Sequence, residues 1–367
     1  MKHFIPVYQP SLCGNESKYV NECLETHWIS SKGKFVSRFE VDFAQYIKAR
    51  YATSVCNGTV ALHLALHSLG IKEGDEVIVP TLTYIASVNA IAYVGATPVF
   101  VDSEPLAWNL DISKIEEKIT NKTKAVMVVH LYGAVCDMDS IRNICTKYGL
   151  MLIEDVAEAF GSQYKGRYAG TFGDIATFSF FGNKTITTGE GGMVVSNDSA
   201  TIARAAYLKS QAVSTTHEYW HDEMGFNFRM TNICAAIGVA QLEQADSVIK
   251  AKRRLANWYR EELEGLPLTF QLEMPQTVHT YWMVSILAED TKMRNHIRQM
   301  LKESGVETRP LFPPAHMMPV FRTKEPYPVA ESLSERGLNL PSYPSLTREQ
   351  VCFISSKIRE AINNQFL

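Results

Sequence analysis

Leu150-Met-Leu-Ile-Glu-Asp155 is an apolar run closed by two carboxylates, and its reading decides the fold. A short apolar run with no polar alternation predicts a strand buried on both faces. Similar runs precede it at Glu76-Val-Ile-Val-Pro80, Pro98-Val-Phe-Val-Asp102 and Ala125-Val-Met-Val-Val-His130. Helix-like segments separate them, Asp111 to Ile119 and Asp137 to Tyr148 among them. From Thr59 to about Ser196 this alternation predicts an α/β core, a largely parallel sheet covered by helices on both faces. Such sheets bind ligands at the carboxyl ends of their strands, where Pro80-Thr81, Asp102, His130-Leu-Tyr132-Gly133 and Asp155 are expected.

Farther along the chain, Asn232 to Leu263 reads as one long amphipathic helix. It bridges to a strand at Thr280 to Ala288, a helix at about Met293 to Ser304 and a Pro-rich segment at Arg309 to Pro319. The expected division is a large α/β domain over 1–240 and a small α+β domain over 241–367.

Composition narrows the class. The chain has 367 residues, 46% hydrophobic and 20% charged, with a formal charge of -3. That balance gives no broad basic surface for nucleic acid or an anionic membrane. Seven cysteines stand without a C-x-x-C pair or a histidine at zinc-ligand spacing, so they read as reduced packing residues and no metal is expected. No apolar run reaches membrane-spanning length, and the first residues contain Pro6 and polar groups where a signal peptide needs an unbroken apolar stretch. A cytoplasmic protein is expected.

Lys184, in Ser179-Phe-Phe-Gly-Asn-Lys184-Thr185, and Asp155 supply the two poles of a pyridoxal phosphate (PLP) site. A primary amine condenses with the cofactor aldehyde, and a carboxylate keeps the ring nitrogen protonated. Cys56-Asn-Gly58-Thr59 runs from a strand end into a helix start, a phosphate site if Ser179 lies beside it and a capped turn otherwise. Tyr84 falls just past a strand end, placed either to stack on the pyridine ring or to pack at the next helix. Glu158, one turn beyond Asp155, meets the cofactor's phenolic oxygen or merely solvates its segment. Thr188-Gly-Glu-Gly-Gly192 reads as a turn, because a Walker lysine and hydroxyl are missing. The polar and aromatic density of Tyr219 to Met230 fits a loop at an interface or an ordinary aromatic cluster. His316 lines a cleft between domains or is a satisfied histidine in a rigid loop.

In this order the segments resemble the sugar-nucleotide aminotransferase family of fold-type I PLP enzymes. The resemblance rests on Asn57-Gly-Thr59, Glu154-Asp-Val-Ala-Glu-Ala-Phe-Gly161, Ser179-Phe-Phe-Gly-Asn-Lys184, Thr188-Gly-Glu-Gly-Gly192, Gly225-Phe-Asn-Phe-Arg229, and Arg309 with Pro313-Pro-Ala-His316. It implies an aspartate-aminotransferase-like fold with a mostly parallel seven-stranded sheet. It implies Lys184 as Schiff-base lysine, Asp155 on the pyridine nitrogen, and Glu158 near the phenolic oxygen. Gly58, Thr59 and Ser179 then hold the phosphate, and Tyr84 stacks on the ring. Asn227 reaches the phosphate of a neighbouring subunit's cofactor, which makes a homodimer the functional unit. Tyr132, Arg229, Arg309 and His316 are expected at the substrate. Tyr8-Gln-Pro-Ser11, Trp28-Ile-Ser-Ser-Lys-Gly33, Pro80 to Ala90 and Arg229 to Ala236 are most similar to members acting on GDP-4-keto-6-deoxy-D-mannose with L-glutamate as donor, for a cell-surface polysaccharide. A PLP-dependent sugar dehydratase is disfavoured, since family dehydratases of the 3-deoxysugar type carry histidine where Lys184 stands, and a non-enzymatic sensor is disfavoured by the complete polar set.

Overall fold

The computed structural model describes residues 4–364. Nine strands form its first part: β1 (Tyr51–Val55), β2 (Glu76–Pro80), β3 (Thr97–Val101), β4 (Thr123–Val129), β5 (Met151–Asp155), the short pair β6 (Gln163–Tyr164) and β7 (Arg167–Tyr168), β8 (Ile175–Ser179) and β9 (Gly192–Ser196). Seven of them make one sheet in the order β1-β9-β8-β5-β4-β2-β3. Only β9 runs against the rest, pairing antiparallel with β1 and β8. β4 and β5 pair in parallel from Ala125 opposite Met151 to Val129 opposite Asp155, which brings their carboxyl ends out at one level.

Alternation along each strand explains the two-sided core. Val126 and Val128 of β4 join Leu152 of β5 in the cluster under the helices Lys34–Ile47 and Asn232–Glu243. Ala125, Met127 and Ile153 point the other way, into the cluster under the helices Gly58–Ser68 and Ile85–Tyr93. Both faces need apolar residues, so the runs lack polar alternation.

The remaining strands are β10 (Leu268–Phe270), β11 (Thr277–Val278), β12 (Val284–Ala288), β13 (Arg309–Pro310) and β14 (Gly337–Leu340). β10-β12-β14-β13 form an antiparallel sheet, and β11 adds to the β6–β7 pair. The helices Ala245–Glu262, Thr291–Glu303 and Arg348–Asn364 contribute Tyr259, Ile297 and Ile358 to a third buried cluster with Ile286 and Leu340 of that sheet. Ile5 joins this region too, bridged to Val306, and Ser342 N–H donates to the Val7 carbonyl. We propose that the small domain begins at the helix Ala245–Glu262, near the expected division at 240/241, with residues 5–7 tied back to it.

Three local expectations change. Asp111 to Ile119 is two short 3-10 turns, Ile112–Lys114 and Glu116–Lys118, because Ile115 is its one deeply buried anchor. The long bridge is two helices, Asn232–Glu243 and Ala245–Glu262, broken at Gln244. The first packs on both sides and carries no polar face, whereas the second is amphipathic, so their apolar stripes do not form one continuous line. The strand expected from Thr280 begins only at Val284, because Tyr281 takes a left-handed φ of 49° that ends strand geometry before it.

Candidate active site

Glu154 and Asp155 point to opposite sides of β5 and do different work. Glu154 is buried and accepts the backbone N–H groups of Gly170, Phe172 and Gly173 at 2.6–2.7 Å. His130 Nε2 lies 3.1 Å from Glu154 Oε2, and His130 Nδ1 accepts the Cys136 N–H. Glu154 therefore ties loops together. Asp155 faces a cleft of about 600 Å³. Its Oδ2 accepts from Ser87 Oγ at 2.7 Å and its Oδ1 from the Ala157 N–H at 3.0 Å. Burial pushes the Asp155 carboxyl up, opposed by the Ser87 and Ala157 hydrogen bonds and by Lys184 and His130. Such a site favours a cationic partner on the carboxylate.

Across the cleft, the helix Gly58–Ser68 starts with Asn57, whose side chain accepts the Val60 N–H at 3.0 Å. A Cβ on Gly58 would lie 2.6 Å from Ser179 Cβ and 2.9 Å from Ser179 Oγ. Only glycine permits this approach, which sets the Ser179 hydroxyl against the free N–H groups of a helix start. Thr59 lines the same cleft. A hydroxyl pair and a positive helix end suit a phosphate.

Lys184 follows β8 in a turn closed by its N–H on the Phe181 carbonyl. Its own carbonyl accepts the Tyr8 hydroxyl at 2.6 Å, and the neighbouring Asn183 carbonyl accepts Trp282 Nε1–H at 2.6 Å. Burial lowers the Lys184 amine, opposed by Glu158 and Asp155. Glu158 Oε2 accepts the Tyr132 N–H at 2.8 Å. Burial pushes the Glu158 carboxyl up to about 7, with Asp155 adding and Lys184 and the Tyr132 N–H opposing. Amine, carboxylate and the hydroxyl-lined helix start thus line one cleft, and the residues fit PLP.

The raised Glu158 carboxyl has a measurable consequence. Its ordinary value is 4.5 and its folded value about 7, so folding takes up a proton between these limits. Stability is then highest below the lower limit and falls as pH rises through the upper one, by at most about 3 kcal/mol. In the cofactor-free protein, Glu158→Gln is expected to flatten this fall, read as unfolding midpoints at about pH 5 and about pH 8. An equal fall in both proteins would contradict it.

The cleft brings together Gly58, Thr59, Tyr84, Asp155, Glu158, Ser179 and Lys184. Tyr84 caps the helix Ile85–Tyr93 at the mouth, 56% exposed, its ring 5.6 Å from that of Phe312. Asn227 does not line this cleft. It is exposed, bridged to Ser210, and its Oδ1 accepts from Arg229 Nη2. The four expected substrate residues also lie off the cleft wall. Tyr132 is fully buried with a left-handed φ of 54°, and its hydroxyl accepts the Phe312 N–H at 3.0 Å. Arg229 sits beside Asn227, bridged to Val55. Arg309 is exposed and paired with Glu307 at 2.6 Å. His316 is buried, with Nδ1 2.7 Å from Thr81 Oγ1 and Nε2 3.1 Å from Glu331 Oε1. It is a satisfied histidine pinning the Pro-rich loop to the end of β2.

Ser87, Trp282, Phe312 and Glu190 line the cleft without having been singled out in the sequence. Ser87 carried a signal, since it stands in the first turn of the helix that Tyr84 caps, just past the end of β2. Trp282 and Phe312 come from the C-terminal part of the chain, where no local pattern marks them.

Among the described residues no helix is long and apolar enough to cross a membrane, and no cluster of His, Cys, Asp or Glu is arranged to hold a metal. All seven cysteines are free.

Residues 10–359 match the model of the DegT/DnrJ/EryC1/StrS aminotransferase family. The chain is 58% identical over 358 residues to a GDP-perosamine synthase of Escherichia coli O157:H7, covering 97% of this chain and 98% of that one. Among solved structures, the aminotransferase TlmJ of Streptoalloteichus hindustanus superposes with a TM-score of 0.95 at 30% identity, covering 99% of this chain and 100% of that one. Spr1654 of Streptococcus pneumoniae, solved in a PLP-form, gives 0.94 at 26% identity, with 99% of each chain covered. The chain belongs to the DegT/DnrJ/EryC1/StrS family and is a PLP-dependent aminotransferase.

Proposed function

We propose that the protein transfers the amino group of L-glutamate to C4 of GDP-4-keto-6-deoxy-D-mannose, giving GDP-perosamine and 2-oxoglutarate for a surface polysaccharide. The observation that carries this reading is 58% identity, across nearly the whole chain, to a relative named GDP-perosamine synthase.

Bound PLP supplies an electron sink that acidifies the α-proton of the amino donor. Lys184 would hold the cofactor and, once displaced by the donor, its Nζ takes that α-proton as base and gives it back as acid. Burial lowers the proton affinity of this amine, which eases its release of a proton as acid. Asp155 would hold the ring nitrogen, kept in place by Ser87 and Ala157. Gly58, Thr59 and Ser179 would take the phosphate, Tyr84 would cover the ring and Glu158 would meet the phenolic oxygen. Asn227 is exposed and off its own cleft, which supports its reaching a second subunit's phosphate in a homodimer. Tyr132 and His316 are assigned an indirect part, since one holds Phe312 and the other holds the loop that carries it. Arg229 and Arg309 remain candidates for the nucleotide's negative charge.

The test offers the cofactor-loaded protein GDP-, dTDP- and UDP-linked 4-keto-6-deoxy sugars, each with L-glutamate, and measures 2-oxoglutarate release. The GDP-linked sugar is expected to give the highest kcat/KM. Preference for a thymidine or uridine nucleotide would discard this substrate and keep the aminotransferase.

A further inference from the structure

The Lys184 amine feels the charges of Glu158 and Asp155 and also meets an aromatic face. Nζ lies 3.9 Å from the centre of the Trp282 ring, well inside the range of a cation–π contact. Trp282 is buried and fixed from several sides. Its Nε1–H donates to the Asn183 carbonyl, and its ring lies parallel to that of Tyr132, 6.0 Å away at 14°. Its carbonyl accepts from Lys252 Nζ at 3.1 Å. Lys252 is fully buried and makes its second bond to the Ser342 carbonyl at 2.6 Å. The same Nζ sits 5.0 Å from the Tyr8 ring, whose hydroxyl donates to the Lys184 carbonyl. Contacts thus close a loop from the Lys184 backbone through Tyr8, Lys252 and Trp282 back to the Lys184 amine.

The backbone leading into Trp282 is strained as well. Tyr281 holds a φ of 49°, fixed by its N–H on His279 Nδ1 at 2.9 Å. Non-glycine residues keep such a conformation only where their surroundings impose it. Gly133 packs so closely here that a Cβ would lie 2.8 Å from the Tyr281 nitrogen.

We propose that the face of Trp282 is the seat of the Lys184 ammonium whenever the amine is free of the cofactor. The inference rests on the reading of Lys184 as proton carrier. A lysine side chain is a flexible stem, and after displacement it needs one place within reach of the atoms it serves. An aromatic face attracts the charged amine and not the neutral one. Position is thereby coupled to protonation: the ammonium rests on the ring, and the neutral amine leaves it to take a proton. Trp282 is a positioning residue in this scheme. The charged and titratable groups around Lys184 are Asp155 at the end of β5, Glu158 just beyond it, Glu190 on the Thr188–Gly192 turn, Tyr8, and Lys252 behind the ring.

The test uses the cofactor-free protein, so neither the sugar nor turnover enters it. Lys184 acetylation by acetic anhydride is followed against pH by peptide mass spectrometry, which gives the midpoint at which the amine becomes reactive. Trp282→Leu keeps an apolar side chain and removes the ring face. Its midpoint is expected about one pH unit lower than in the parent, because the charged form loses its partner. Trp282→Phe keeps a weaker face and should fall between the two, which preserves the test if the leucine variant does not fold. A midpoint unchanged or raised in both variants overturns the proposal and leaves Trp282 as packing alone. Failure of the GDP-sugar assignment would not move this midpoint.

Discussion

Lys184→Ala is expected to leave a folded protein whose amino transfer is reduced by more than about 10³-fold. The side chain removed is the amine assigned to carry the proton between donor and product, while Asp155 is committed to Ser87 and Ala157 and Glu158 is tied to the Tyr132 N–H. Folding should survive. The Lys184 backbone keeps its bonds to the Phe181 carbonyl and the Tyr8 hydroxyl, and alanine at this half-buried position removes a charge that burial disfavours. Circular dichroism and 2-oxoglutarate release from the same preparation check both parts. Turnover near the parental rate would remove Lys184 from its assigned role.

Asp155→Asn should slow the glutamate half-reaction by roughly 10- to 1000-fold while altering glutamate binding little. The carboxylate is assigned to keep the ring nitrogen protonated, and loss of an adjacent charge lowers such a proton affinity by about one to three pH units. Asparagine is the informative replacement, because its carbonyl can still accept from Ser87 Oγ and the shape of the buried site is kept. Stopped-flow absorbance of the cofactor on mixing with L-glutamate measures the step. An unchanged rate would show that the charge does not matter and would move the electron sink away from Asp155.

Much of this cleft is legible in the sequence because its residues stand at the ends of local patterns. Asp155 closes an apolar run, Gly58 and Thr59 open a helix, and Ser179 closes β8, so each position follows from where a strand stops. The parallel order of those strands then brings their ends together. Residues outside such patterns behaved differently. His316 and Tyr132 lie in short 3-10 turns between longer elements, where polar and aromatic types are compatible with a cleft wall or a buried prop, and the props are what the structure contains. Trp282 was hidden for another reason. Its place under Lys184 depends on the left-handed turn at Tyr281 and on Lys252, a lysine whose full burial runs against the usual behaviour of its type. The broken helix at Gln244 and the 3-10 turns after Asp111 show the same limit, since apolar spacing does not say which neighbour a stripe will meet.

The most direct measurement follows the amino nitrogen itself. Cofactor-loaded protein is mixed with L-glutamate carrying an isotopically labelled amino group and with GDP-4-keto-6-deoxy-D-mannose, and the nucleotide sugar and 2-oxoglutarate are quantified by mass spectrometry. The expected result is the label in a GDP-linked 4-amino-4,6-dideoxy sugar, matched mole for mole by 2-oxoglutarate. Unlabelled sugar, with or without 2-oxoglutarate release, would contradict amino transfer from glutamate to this substrate.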